Sequence, residues 1–311
     1  MDLNDPHAMT SPHQFTPTMH RDVYAAISPK NPDLNAAGKN VLITGATRGI
    51  GKAIALSWAE AGASGIVITG RAKDLLAQVS DEIKKIAPKA KVLALSSEAA
   101  SEEDAKQLWA KVKAEIGIID ILIANAGVFS ENSAGFPVTG KMDPSQWWSD
   151  MEINIRGPYI QIYNFLQQYL AEGKEPEGTI VVLSSAAAAM VGPGSSAYTI
   201  SKLVGLRLAQ NLHAEHPKVR TFAVHPGIVP TNMQVGPWAK QTIDTAEMSG
   251  GLSLYLSTPR ADYLRGGYVS VSWDVEEMEK LADEIKSKRL LDLAFLNAKL
   301  GPKGYEPGSF A

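Results

Sequence analysis

Asn40-Val41-Leu42-Ile43-Thr44-Gly45-Ala46-Thr47-Arg48-Gly49-Ile50-Gly51 is a short apolar run that ends in a glycine-rich turn and opens onto Ile50–Ala61, a stretch with helical spacing. A run this short, bounded by turn residues, reads as a buried strand rather than a helix. The turn has the spacing Gly-x-x-x-Gly-x-Gly at 45, 49 and 51. Small residues there let the backbone approach a pyrophosphate, and the helix that follows presents free N–H groups and the positive end of its dipole. An ordinary tight βα turn has the same local appearance.

The same alternation continues on the C-terminal side. Apolar runs at Gly65–Thr69, Lys91–Leu95, Asp120–Ala124, Thr179–Ser184, Arg220–His225 and Gly267–Val271 predict six further strands. Helical spacing over Lys73–Ala87, Glu102–Glu115, Pro144–Leu170 and Ser196–Glu215 predicts the helices between them. Strands nearly continuous in Val, Ile and Leu, separated by amphipathic helices, imply an α/β fold: a doubly wound, seven-stranded parallel sheet covered on both faces, in a single domain. Ligands of such sheets bind beyond the carboxyl ends of the strands. The turn, Arg71, Asn125, Ser185 and Pro226-Gly227 all fall at such ends.

Residues 1–37 are expected to form an extended arm, because Pro12, Pro17, Pro29 and Pro32 interrupt any helix. Val23, Tyr24 and Ile27 are the residues able to lay it on the domain. The α/β domain is expected over 38–273 and a helical tail over 274–311, with mixed charges at Asp274–Lys288 predicting a solvated helix.

The chain has 311 residues, 45% hydrophobic and 20% charged, with a net charge of -3. That balance gives no electrostatic reason to expect nucleic acid or an acidic membrane as a partner. There are no cysteines, which excludes disulfides, thiolate metal sites and a cysteine nucleophile. No apolar run approaches the roughly 18 to 20 residues needed to span a bilayer, the start of the chain has no secretory pattern, and a cytoplasmic location is the default expectation. Six histidines occur without metal-ligand spacing, and no metal is required.

The end of the second strand selects the nucleotide. An NAD site places a carboxylate there for the ribose hydroxyl. This chain has Thr69-Gly70-Arg71 instead. Arg71 is suited to a 2′-phosphate, with Arg48 as a second positive charge, so NADP(H) is expected over NAD(H). A solvated residue at a helix start is the plainer alternative for Arg71.

Tyr198 and Lys202 stand four residues apart on a predicted helix and share a face. A free phenol has a pKa of about 10. An ammonium about 4 Å away at an effective dielectric of about 20 contributes about 4 kcal/mol, about three pKa units, so Tyr198 is expected to be lowered toward the range of a proton shuttle. Ser185, at a strand end, is placed to donate to a substrate oxygen. Asn154 lies mid-helix and matters only if a local kink frees its carbonyl to hold a water beside Lys202. His225 reads as structural.

These residues resemble the short-chain dehydrogenase/reductase family over about Gly38 to Val271, and the N-terminal arm and the tail look like those of fungal members. The resemblance is carried by Thr-Gly-x-x-x-Gly-x-Gly (44–51), Asn-Ala-Gly (125–127), Asn154, Ser185, Tyr-x-x-x-Lys (198–202) and Pro-Gly-x-x-x-Thr (226–231). It implies a Rossmann domain and a catalytic tetrad of Asn154, Ser185, Tyr198 and Lys202. Cofactor contacts are implied at Gly45, Thr47, Arg48, Gly49, Ile50, Gly51, Arg71, Asn125, Ala126, Gly127, Tyr198, Lys202, Pro226, Gly227, Val229 and Thr231. Asn125 would brace the strand end, Lys202 would bond the nicotinamide ribose, and Ile228–Thr231 would reach the carboxamide. The family's helices at 144–170 and 196–215 imply a homodimer or homotetramer. Three departures stand out: Ala124 in place of a first asparagine, Ser96-Ser97-Glu98 without the usual Asp, and Ser272-Trp273-Asp274 after the last strand.

Met233–Ser249 falls where family members carry a substrate lid. Met233, Trp238 and Met248 there, with Met190, Val191, Gly192 and Phe129 opposite, imply a mostly apolar carbonyl or alcohol substrate. Packing within a lid helix would use the same residues. The expected function is an NADP(H)-dependent oxidoreductase interconverting a carbonyl and a secondary alcohol. A non-redox epimerase, dehydratase or cyclase on the same scaffold, and a non-catalytic NADP(H) sensor, are the alternatives.

Overall fold

The computed structural model describes residues 5–231 and 239–294. Seven strands form one parallel sheet: β1 (Asn40–Ile43), β2 (Gly65–Gly70), β3 (Lys91–Ser96), β4 (Ile121–Ala124), β5 (Gly178–Leu183), β6 (Val219–His225) and β7 (Tyr268–Ser270). Their order is β3-β2-β1-β4-β5-β6-β7. The strand order reverses between β1 and β4, the switch point where a crevice opens in doubly wound sheets.

Both faces of the sheet are covered, which explains why the strands are apolar without alternation. In register, Val41 stands beside Ile66 and Ile121, and Leu42 beside Val67 and Leu122. The row with Val41, Ile66 and Ile121 packs into one core with Trp58, Tyr255 and Met248. The row with Leu42, Val67 and Leu122 packs into the other, with Trp109, Phe165 and Leu212. Successive side chains of a strand point to opposite faces, so every position of a central strand is a core position. The first core is built by α1 (Gly49–Glu60), α2 (Lys73–Ile86) and, C-terminal to β6, the helix Glu247–Leu256. The second is built by α3 (Glu102–Glu115), the helix Gly157–Leu170 and the helix Ser196–Glu215.

The predicted helix over 144–170 is interrupted. A one-turn helix α4 (Ser130–Ser133) precedes α5 (Pro144–Met151); a π turn, Glu152–Arg156, then leads into α6 (Gly157–Leu170). The helix Ser196–Glu215 is α7 and Glu247–Leu256 is α8.

Val23, Tyr24 and Ile27 lay the arm on the first core as expected, while the local form of both chain ends differs from expectation. The N-terminal arm is built from short 3-10 turns, at Ser11–His13, Ala25–Ile27 and Pro32–Leu34, and it buries Ile27 and Leu34 in the first core. Met19 pairs with Trp273, and the Trp273 indole donates to the His13 carbonyl at 2.9 Å. The charged stretch after β7 is two short helices, α9 (Val275–Lys280) and α10 (Ala282–Lys288), whose Val275, Met278 and Ile285 are buried. Charge spacing predicted a solvated helix, but these three apolar residues give each helix an inner face. Among the described residues no helix is long and apolar enough to cross a membrane.

Candidate active site

A cavity of about 350 Å³ opens at the switch point, lined from the β1 turn, the ends of β2 and β4, and α7. Its wall holds Gly45, Thr47, Arg48, Gly49, Ile50, Gly51, Arg71, Asn125, Ala126, Gly127, Tyr198, Lys202, Pro226 and Thr231. Two of the predicted cofactor residues lie behind this wall. Gly227 backs onto the Asp244 carboxylate, and the Val229 side chain is buried.

Gly45 and Gly51 of the turn have no room for a side chain. Gly45 adopts φ +67°, a left-handed conformation that glycine takes without strain. A Cβ on Gly51 would collide with the Gly45 carbonyl and come within 2.5 Å of the Asn125 amide nitrogen. Asn125 fills the space: its Nδ2 donates to the carbonyls of Thr44 at 2.8 Å and Gly45 at 3.2 Å. The Thr44 hydroxyl in turn accepts from the backbone N–H groups of Asn125 and Ala126, each at 3.0 Å. The turn is thereby locked to the end of β4, with its open side toward the cavity. Arg48 and Arg71 are exposed at its rim, and among the described residues neither guanidinium has a hydrogen-bond or ion-pair partner. A backbone cradle with two unpaired cations beside it fits a phosphorylated dinucleotide.

At the other end of the cavity Tyr198 and Lys202 lie on the same face of α7. The Lys202 ammonium stands 5.5 Å from the centre of the Tyr198 ring and donates to the Leu183 carbonyl at 2.8 Å. It also lies beside Gly127, where an added Cβ would sit 3.4 Å from Nζ and 3.1 Å from Asn154 Oδ1. Ser185 is close enough to hydrogen-bond the Tyr198 phenol. Its own oxygen accepts from Ala187 N–H at 3.1 Å.

The phenol's acidity runs opposite to the sequence expectation. Burial pushes Tyr198 above the usual range, and the hydrogen bond with Ser185 only partly offsets this. Lys202 is buried too, and loss of solvent lowers it to about 8. Four-residue spacing on a helix implies an ammonium about 4 Å from the phenol. In the fold Nζ turns to the Leu183 carbonyl, and desolvation is the largest influence on each group.

Asn154 sits in the π turn, a local irregularity of the kind on which its reading depended. Its side chain is buried. Oδ1 accepts from Val128 N–H at 2.8 Å, and Nδ2 donates to the Val128 carbonyl at 2.9 Å and to Ser201 Oγ at 3.0 Å. Asn154 therefore splices the loop after β4 to α7, one residue from Lys202. His225 is buried at the end of β6: its Nδ1 accepts from Ala186 N–H at 3.2 Å, and burial lowers its pKa to about 3.

Sequence reasoning missed Glu131. This carboxylate is 0% exposed and caps α7 from outside. It accepts from Ala197 N–H and Tyr198 N–H, each at 3.0 Å, and from Ser196 Oγ at 3.2 Å. An anion at a helix N-terminus satisfies donors the helix cannot, and no side chain of α7's own preceding residue does so. Asp150 holds the neighbouring Ser130 through its N–H at 2.9 Å and its hydroxyl at 2.6 Å. No local pattern marks Glu131, because its partners are 65 to 67 residues away. Glu131→Ala leaves two buried amides of the first turn of α7 unpaired. It is expected to lower the single-turnover rate roughly a hundredfold, since small misplacements of a reacting group cost that much. An unchanged rate would show that the cap does not position Tyr198.

Next to the phenol, Phe129 stacks on the Tyr198 ring at 4.2 Å, and Phe136 meets Phe129 edge-on at 6.0 Å. Met248, expected in a lid, is instead wholly buried in the first core. Met233 and Trp238 lie outside the described residues.

Residues 39–242 match the family model described as short chain dehydrogenase. The chain is 34% identical to the short chain dehydrogenase pigC of Monascus ruber over 91% of its own length and 94% of that protein's. It is 33% identical to the short chain dehydrogenase citE of the same organism, over 86% and 91% of the respective lengths. Relative to tazN of Aspergillus terreus it is 30% identical and spans 64% of that protein. Among solved structures, a short-chain type dehydrogenase/reductase from Mycobacterium marinum superposes with a TM-score of 0.68 at 26% identity, over 77% of this chain and 96% of that one. The glycine turn, the parallel sheet wound about it and these relatives lead to one assignment: the chain belongs to the short chain dehydrogenase family and is an oxidoreductase of Rossmann fold.

Proposed function

We propose that this protein is an NADP(H)-dependent oxidoreductase that interconverts a carbonyl and a secondary alcohol on a mostly apolar small molecule. The observation that carries the reading is the single cavity whose wall runs from the glycine turn and Arg71 to Tyr198 and Lys202. The residues divide into a binding half and a proton-transfer half.

The β1 turn would hold the pyrophosphate on the free N–H groups at the start of α1. Arg48 and Arg71 would take the 2′-phosphate, and Lys202 the nicotinamide ribose. Thr231 and its neighbours from Pro226 onward would border the ring. When bound, the nicotinamide supplies or accepts the hydride.

The rest of the chemistry belongs to the protein. Burial keeps the Tyr198 phenol protonated at neutral pH, so in reduction it is a proton donor to the carbonyl oxygen. Ser185 would donate a hydrogen bond to the same oxygen as charge develops. Below a pH of about 8 Lys202 carries the positive charge that favours the phenolate left after transfer. Asn154, through Val128 and Ser201, holds the loop and the helix on either side of Lys202 and completes the tetrad.

A pH profile tests this division. The free enzyme's groups govern kcat/KM. For carbonyl reduction it is expected to stay level near neutrality and fall as pH rises through about 8, where Lys202 loses its proton while Tyr198 keeps its own. A profile that rises through that range would overturn the assigned roles.

A homodimer or homotetramer is part of the same proposal. Tyr159, Tyr163 and Leu170 on α6 and Ile200 on α7 are exposed apolar residues in the helices concerned. A cytoplasmic setting also belongs to it and rests on the sequence alone.

A further inference from the structure

An ion pair from the N-terminal arm reaches the wall of the dinucleotide cavity. Its acidic partner is Asp244, whose side chain is 0% exposed. Asp244 Oδ2 accepts from Ile228 N–H at 2.6 Å, and Asp244 N–H donates to the Ile228 carbonyl at 3.3 Å. Gly227, at φ +83°, lies so close that a Cβ there would stand 2.7 Å from the same oxygen. These contacts clamp the strap after β6, whose Pro226, Pro230 and Thr231 line the cavity.

The other carboxylate oxygen, Oδ1, accepts from Arg21 Nη1 at 2.8 Å. A buried carboxylate needs a partner, because an isolated charge out of water is costly. The charge that makes Asp244 tolerable comes from 223 positions away, in a segment that precedes the first strand. The arm is fastened at the same place by its backbone and next side chain. The Arg21 carbonyl accepts from Thr245 N–H at 3.1 Å, and Asp22 Oδ1 accepts from Thr245 Oγ1 at 2.8 Å. Arg21 is itself oriented by Thr10 Oγ1 at 2.9 Å and His7 Nδ1 at 2.8 Å.

We propose that Arg21 is a positioning residue of the dinucleotide site: by neutralising Asp244 it holds the 226–231 strap against the cavity, which makes the N-terminal arm a working part of that site. The identity of the ligand rests on the NADP(H) reading above; the clamp does not. Without Arg21, Asp244 is a buried, unpaired carboxylate. It draws in water or moves toward solvent, and its bond to Ile228 N–H loosens. The strap then loses its fixed distance from the cavity.

The test uses the full chain with Arg21→Met, which keeps the apolar stem without the charge, and Arg21→Lys, which keeps the charge. Amide hydrogen exchange at Ile228 reads the clamp directly, and a titration with NADPH reads the site. In Arg21→Met, exchange at Ile228 is expected to accelerate at least roughly tenfold, because breaking a buried pair exposes its remaining partner. The amides of β1, β4 and β5 should keep their protection. NADPH should bind about tenfold more weakly, Arg21→Lys should recover most of both effects, and adding Asp244→Asn to Arg21→Met should change little further. Unaltered Ile228 exchange in Arg21→Met would overturn the proposal, as would uniform acceleration across the sheet. If the unmodified protein fails to bind NADPH, the cofactor reading falls, while Ile228 exchange still decides the clamp.

Discussion

Tyr198→Phe is expected to lose between about a hundredfold and ten thousandfold in carbonyl turnover, the range spanned by a positioned proton donor. The substitution removes one oxygen and leaves the ring. The stack of that ring on Phe129 at 4.2 Å is preserved, and so is the Glu131 cap, which binds the backbone N–H of residue 198 rather than its side chain. Fold and NADPH binding should therefore survive. What disappears is the proton that burial retains on the phenol at neutral pH, together with the hydrogen bond to Ser185. The measurement is kcat on a panel of ketones, with NADPH affinity measured in parallel by fluorescence titration. A loss of kcat at constant affinity identifies an interaction made in the transition state. Full activity in the variant would remove Tyr198 from the chemistry.

Arg71→Asp should change the preferred cofactor. Arg71 follows directly on β2, at the rim of the cavity, where a dinucleotide's adenosine ribose would lie. Its side chain is exposed and has no partner among the described residues; only its carbonyl is used, accepting from Ser96 Oγ at 3.1 Å. Nothing in the fold depends on the guanidinium, so the substitution tests binding with little risk to stability. Loss of charge-assisted bonds to a 2′-phosphate costs roughly tenfold to a hundredfold, and a carboxylate in the same place repels the phosphate further. That carboxylate is also the group NAD sites use for the ribose hydroxyl. The ratio of kcat/KM for NADPH to that for NADH should fall by about a hundredfold or more. An unchanged ratio would assign Arg71 to the solvated surface.

What could be read from the sequence was what the chain encodes over short distances. The β1 turn is legible because a left-handed residue and a close backbone contact each demand glycine, at 45 and 51. The pairing of Tyr198 with Lys202 is legible because four residues make about one helical turn. The sheet is legible because both of its faces are buried and the strands are apolar throughout. Features built by distant segments meeting were not legible. Glu131 has no signature as the cap of a helix 65 residues further on. Nothing in the arm's sequence marks Arg21 as the partner of Asp244. Ile27, with Val23 and Tyr24, was legible as an anchor of the arm and packs on the first core, whereas Leu34 and the short 3-10 turns were not legible. Asn154 depended on a break in the helix that periodicity could not reveal, and the break is the π turn at 152–156. The direction of the Tyr198 shift was misread because spacing alone does not report desolvation. Helical spacing gives the distance between the two groups but not the loss of solvent around each, and Lys202 is bonded to the Leu183 carbonyl.

The roles proposed for Tyr198, Ser185 and Lys202 all serve one event, the delivery of a hydride and a proton to the same carbonyl. Reduction of a ketone with NADPH deuterated at the transferring C4 position follows that event in a single product. The proposed function predicts one deuterium at the new carbinol carbon and one NADPH oxidised per alcohol formed. Product that arises with no deuterium at that carbon, or with no net oxidation of NADPH, would contradict it.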